Sequence, residues 1–99
     1  MAYKYQYIED RNEKILAPLN LPERFKNGFR FELTFKESHM ASAQEQETHG
    51  NIEKARSDYE IAEKRTTFML GMIDTLRMLG MLDEETDRAL VNLAYGRNV

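Results

Sequence analysis

Residues 29 to 36 read Phe29-Arg30-Phe31-Glu32-Leu33-Thr34-Phe35-Lys36, and the fold class turns on how this stretch is taken. Every second side chain is large and apolar. Period-two alternation places Phe29, Phe31, Leu33 and Phe35 on one face of an extended chain and Arg30, Glu32, Thr34 and Lys36 on the other. Tyr3, Tyr5 and Tyr7 alternate in the same way around Lys4 and Gln6, and residues 1–36 hold seven of the ten aromatics. The pattern predicts two strands. Between them, Asn20 to Gly28 suits one short helical turn, with Pro22 at its first position and Asn27-Gly28 as a left-handed exit. Antiparallel strands are expected, but a connection of roughly 20 residues does not decide the direction.

Downstream the character changes. Residues 37–51, ESHMASAQEQETHGN, offer only Met40 and two alanines as apolar groups, so they are expected to be an exposed helix start or a mobile stretch. From Ile52 the residues Ile52, Ala55, Tyr59, Ala62, Thr66, Met69, Ile73 and Leu76 step by three and four, a heptad stripe that predicts a long amphipathic helix over 52–79. Asn51 suits its N-cap and Gly80 its stop. At 1.5 Å per residue this helix is roughly 42 Å long, against a radius of gyration of about 13 Å for a compact chain of this size. Asp83, followed by Glu84, Glu85 and Asp87, caps a shorter helix over 83–95 that buries Leu90, Leu93 and Ala94 and ends at Gly96. The expected fold is α+β: an N-terminal two-stranded sheet, a long helix and a shorter antiparallel helix in a single domain over 1–99, mainly helical and dimeric through the long helix.

Composition narrows the function. The chain has 99 residues and no cysteine, which excludes disulfides, cysteine-based zinc or iron-sulfur sites and thiol nucleophiles. A chain this short buries only ~60–65% of its unfolded surface, which favours a second copy as a source of stability. Its net charge of -3 has the wrong sign for a coat on a phosphate backbone. The charge is uneven: residues 1–36 carry seven Lys/Arg against five Asp/Glu, and residues 37–99 seven against twelve. The N-terminus lacks the apolar core of a signal peptide, and the most apolar stretch, Phe68 to Leu82, is interrupted by Asp74 and Arg77. A cytoplasmic protein with no membrane association is expected.

No catalytic constellation is present in the sequence. The five glycines are scattered, and His39 and His49, ten residues apart, are separated by a rotation of about 280° around a helix, so that one helix cannot aim both at one metal. Glu45 with Glu47, and Glu84 with Glu85, sit in polar stretches where nothing buries them to shift a pKa. We therefore expect no enzyme activity, cofactor or metal. The heptad stripe has two readings. Ile52, Ala55, Tyr59, Ala62, Met69, Ile73 and Leu76 pack inside the chain, or they form the seam of a homo-oligomer. The second is favoured because ten of the fifteen residues from Phe68 to Leu82 are apolar and spread over more than one helical face. Four of the six methionines lie there, a surface able to repack against varied partners.

Arg30, Thr34 and Lys36 on the outer strand face invite comparison with β-ribbon DNA readers, although Glu32 among them would repel phosphates. Arg56, Lys64 and Arg65 could instead hold a small anionic ligand between subunits, or pair with Glu60 and Glu63 at helical spacing. In type, the chain resembles the small accessory proteins of phages and mobile elements: short, acidic, cysteine-free and without catalytic residues. No motif carries that likeness; the acidic surface, the over-provided apolar helix and the absence of catalytic groups lead to the expectation of a non-enzymatic interaction protein, a phage-type inhibitor or regulator that binds and blocks or recruits a host macromolecule. A nucleic-acid-binding regulator and an oligomer that sequesters a small anion are the alternatives.

Overall fold

The computed structural model describes the backbone of residues 4–97 and the side chains from Asp10 to Arg97. Four helices follow one another: α1 (Lys4–Leu16), α2 (Glu23–Thr48), α3 (Ile52–Met78) and α4 (Glu84–Tyr95). Among the described residues there is no strand, so the expected α+β fold is overturned. Tyr5 and Tyr7 belong to α1, and Tyr3 lies outside the described residues. The stretch from Phe29 to Lys36 is the middle of α2. Asn27-Gly28 is no exit, because the helix runs through it. Residues 37–48 are helical and complete α2.

The reason lies in an ambiguity of the alternating pattern. In a strand all four apolar residues share one face, whereas in a helix they resolve into two i,i+4 pairs, Phe29 with Leu33 and Phe31 with Phe35, about 200° apart. The structure takes the second arrangement. Phe29 and Leu33 are fully buried, and Phe25 stacks on Phe29 with ring centroids 5.6 Å apart. Phe31 is 64% exposed and stacks on Phe35 at 6.2 Å on the opposite side of the helix.

The helices α2 and α3 form a long antiparallel pair. Gly50 makes their turn tight: its φ of +78° is left-handed, and Asn51 N donates to Gln46 O while Gly50 N donates to Glu47 O. The same six-to-one and five-to-two closure recurs at Gly80, φ +68°, where Met81 N reaches Leu76 O. There the chain reverses into α4, whose N-cap Asp83 accepts from Thr86 N at 2.7 Å.

The core sits at the base of the pair, where α1 and α4 pack against it. Leu16, Phe29, Leu33, Met69, Ile73, Leu90 and Leu93 form its centre. Farther along, between residues 37 and 63, the only fully buried side chains among the described residues are Ala43, Ala55 and Ala62. Small side chains there let two helices meet without a thick core. The result is elongated, 46 × 28 × 23 Å, with a radius of gyration of 14.4 Å.

If the alternating stretch is helical, its two phenylalanines differ sharply in stability effect. Phe29→Ala is expected to destabilise by about 3–5 kcal/mol, and Phe31→Ala by no more than about 0.5 kcal/mol at low protein concentration. Urea denaturation followed by circular dichroism checks this, and equal losses for the two would contradict the helix.

Candidate functional site

The residues proposed for nucleic-acid contact are occupied inside the chain. Arg30 lies between α2 and α1, where Nε and Nη2 donate to the two carboxylate oxygens of Glu13 at 2.6 and 2.7 Å. This bidentate pair holds the Glu13 carboxyl below its ordinary range. Thr34 lines a cavity of about 250 Å³ with Asp10, Asn12, Glu13, Leu16 and Arg30. Lys36 is buried, and its Nζ donates to Ala94 O at 2.6 Å, closing the C-terminus of α4. Burial lowers the Lys36 pKa. The outer face that a β-ribbon would offer therefore does not exist: Arg30, Thr34 and Lys36 belong to one helix, from which Arg30 and Lys36 bond to α1 and α4.

Lys26 does for α1 what Lys36 does for α4. Its Nζ donates to Ala17 O at 2.7 Å, just beyond the α1 C-terminus. Both ammonium groups thus meet the negative end of a helix dipole. The sequence shows two lysines ten residues apart, but nothing in that spacing reveals which helix ends they reach.

The heptad stripe is turned inward. Ala55, Ala62, Met69, Ile73 and Leu76 are buried within the chain, facing α2 and the base, while Ile52 is exposed and Tyr59 half-buried. The proposed anion-binding set is dispersed. Arg65 Nη1 lies 3.2 Å from Glu32 Oε2, and its guanidinium covers the Phe35 ring at 5.0 Å. Lys64 is exposed on the outer side of α3. Arg56 lines an open groove of about 300 Å³ near the tip of the helix pair, with Ile52, Ala55, Tyr59, Glu47, Glu60 and Glu63. Three carboxylates around one guanidinium make this a poor trap for an anion.

The arm formed by residues 37–63 holds a polar cluster that the sequence gave no reason to expect. His39 Nδ1 lies 2.9 Å from Asp58 Oδ1, and Ser42 Oγ donates to Asp58 Oδ2 at 2.7 Å. The hydroxyl and the imidazole thus both bind one carboxylate, which leaves the serine acting as a donor and not as a nucleophile. The cluster is a strut between α2 and α3, and it holds Asp58 below the ordinary carboxylate range, through Ser42 first and His39 second. Tyr59 donates to Glu47 across the same pair, which raises the phenol's pKa. Among the described residues, no three His, Asp or Glu side chains are grouped to hold a metal, and no helix is long and apolar enough to cross a membrane.

Two outcomes follow from this bonding. Lys36→Met keeps the aliphatic stem but leaves Ala94 O without its donor, and it is expected to reduce the unfolding free energy by about 1–3 kcal/mol. Guanidinium denaturation measures that loss, and a neutral substitution would mean that the ammonium does not cap α4. The second concerns Asp58. Its folded pKa is depressed, so the strut's contribution is present above the unfolded value and disappears as pH falls through the folded one. Thermal midpoints of wild type and Asp58→Asn should therefore differ at pH 7 and converge below about pH 4.

No protein-family model, no curated protein and no solved structure matches the chain, so its own geometry carries the functional reading.

Proposed function

We propose that this chain is a non-enzymatic protein-interaction module whose acidic two-helix arm engages a basic surface of a partner macromolecule, blocking or recruiting it. The supporting observation is the groove at the arm's tip. Because Ala43, Ala55 and Ala62 are all that the arm buries completely, its larger side chains remain at least partly on the surface. Residues 37–63 carry seven carboxylates and two cations, while the rest of the chain has a slight positive excess. Ile52, 57% exposed, and Ala55 give the groove an apolar floor, with Glu47, Glu60 and Glu63 around it.

An apolar floor inside an acidic rim suits an aliphatic side chain flanked by lysine or arginine. The apolar contact supplies affinity, and the carboxylates supply steering and orientation. The same charge works against nucleic acid at this surface, since the arm's carboxylates repel phosphates. A small regulator that acts by binding alone needs nothing beyond such a surface.

The reading is checked with Ile52→Glu and with Glu47→Lys/Glu60→Lys, on a target captured by the wild-type chain and then purified. Titration calorimetry should show at least about tenfold weaker binding for either variant, and wild-type affinity that falls as salt rises from ~50 to ~300 mM. A target held equally well by both variants rules out the arm, and tight binding of duplex DNA at ~50 mM salt would restore the nucleic-acid alternative.

A further inference from the structure

We infer that the cavity between α1 and α2 is a binding site for a small uncharged molecule whose carboxamide or lactam edge pairs with the side-chain amide of Asn12. The cavity measures about 250 Å³ and lies at the base of the fold, away from the acidic arm. Asn12 and Leu16, one turn apart on α1, form one wall; Arg30, Leu33 and Thr34, at i, i+3 and i+4 on α2, form the other. The Glu13–Arg30 pair bridges the two helices and holds them at this spacing.

Asn12 sets this cavity apart from a packing defect. The residue is only 8% exposed, yet among the described residues its side-chain amide forms no hydrogen bond. Neither amide atom is sealed from solvent, so the group faces the cavity that the residue lines. Buried polar groups in native proteins are paired, and one left unpaired costs stability. A leucine here would avoid that penalty, so the fold itself has no need of the amide.

The other polar groups of the lining are engaged. Both carboxylate oxygens of Glu13 accept from Arg30, Arg30 Nη1 donates to Asn27 Oδ1 at 2.7 Å, and Asp10 and Thr34 each have an interaction of their own. Recognition therefore falls to Asn12, which offers a carbonyl oxygen and an NH2 group side by side. A carboxamide or lactam presents the same two functions in reverse and meets them with two parallel hydrogen bonds.

The remaining lining selects the rest of the molecule. Leu16 and Leu33 offer apolar surface that water cannot use, and an apolar group that displaces loosely held water from it gains affinity. Two carboxylates against one guanidinium leave the lining with an excess negative charge, which turns anions away. A cation would have to compete with Arg30 for Glu13. At ~30 Å³ per water the space equals roughly eight waters, room for a molecule of about ten non-hydrogen atoms.

Benzamide, benzoate and benzylammonium share one ring and differ in the head group, so titrating each into the isotope-labelled full chain, followed by nuclear magnetic resonance, tests the assignment. Benzamide should give saturable shifts of the Asn12 side-chain NH2 signals and of the Leu33 and Thr34 backbone amides, with a dissociation constant of about 1 mM or below. Benzoate and benzylammonium should bind at least about tenfold more weakly. Asn12→Leu should keep full helicity and an equal or higher thermal midpoint while losing benzamide. Because leucine also fills space, Asn12→Ala separates the two effects: it enlarges the cavity and should still weaken benzamide by about tenfold. No saturable shift by ~10 mM benzamide means that the cavity holds water only, which overturns the site. Wild-type affinity in Asn12→Ala, a thermal midpoint lowered by Asn12→Leu, equal binding of the three probes, or shifts confined to residues 47–63 overturns it equally.

Discussion

Most of the stability of α2 and α3 comes from the packing of their buried faces and not from the intrinsic helix propensity of either sequence. Their antiparallel pairing is therefore the constraint on which the rest depends. At the base it is a thick contact, in which Phe29 and Leu33 meet Met69 and Ile73 among the side chains of α1 and α4. Toward the tip it thins to alanines. The register is reinforced at three levels by polar bonds between the two helices: Arg65 with Glu32, His39 and Ser42 with Asp58, and Tyr59 with Glu47. Sliding one helix by a turn would break all three at once. Each is partly exposed and modest alone, so together they select the register more than they stabilise it.

The short helices are then tied to α2 at their weak ends. A helix leaves carbonyl groups without partners at its C-terminus, and burying them unmatched is costly. Lys26 and Lys36 supply donors to the ends of α1 and α4 from a single helix. Each is expensive to bury as an ammonium, and the lowered pKa of Lys36 records that penalty. The arrangement fixes where α1 and α4 end along α2. Arg77, bonded to Asp87 through two nitrogens at 2.6 Å, fixes the other end of α4 against α3.

The C-terminal half of the chain was legible because its signals are local. A step of three and four from Ile52 to Leu76, a glycine in left-handed conformation at Gly80 and an aspartate cap at Asp83 each specify one geometry. The N-terminal half was not legible, because Phe29-Phe31-Leu33-Phe35 satisfies both periods and intrinsic β-propensity favours the wrong one. Tertiary context decides between them. Residues 37–48 have too little apolar surface to support a helix alone, and they pack as one because α3 needs no more than small side chains opposite Ala55 and Ala62. The candidate site residues suffered most, since Arg30 and Lys36 look free until their partners on α1 and α4 are in place.

The alternation that disguised the helix also explains what the molecule has left over. A strand would have placed all four apolar residues in the core, whereas the helix can bury only one pair and must display the other. The outward Phe31 and Phe35 add nothing to the core of a single chain. At the other end, each buried alanine in the arm contributes only about 0.8 kcal/mol, against ~1.5–3 kcal/mol for a buried leucine, methionine or phenylalanine at the base. Ordering each backbone residue meanwhile costs ~1–2 kcal/mol. The arm therefore depends on the base for its order and lies toward the low end of local stability, where binding surfaces that adapt to a partner are drawn from. A firm base that displays Phe31 and Phe35 and a thinly held, acidic arm both follow from where the large side chains run out.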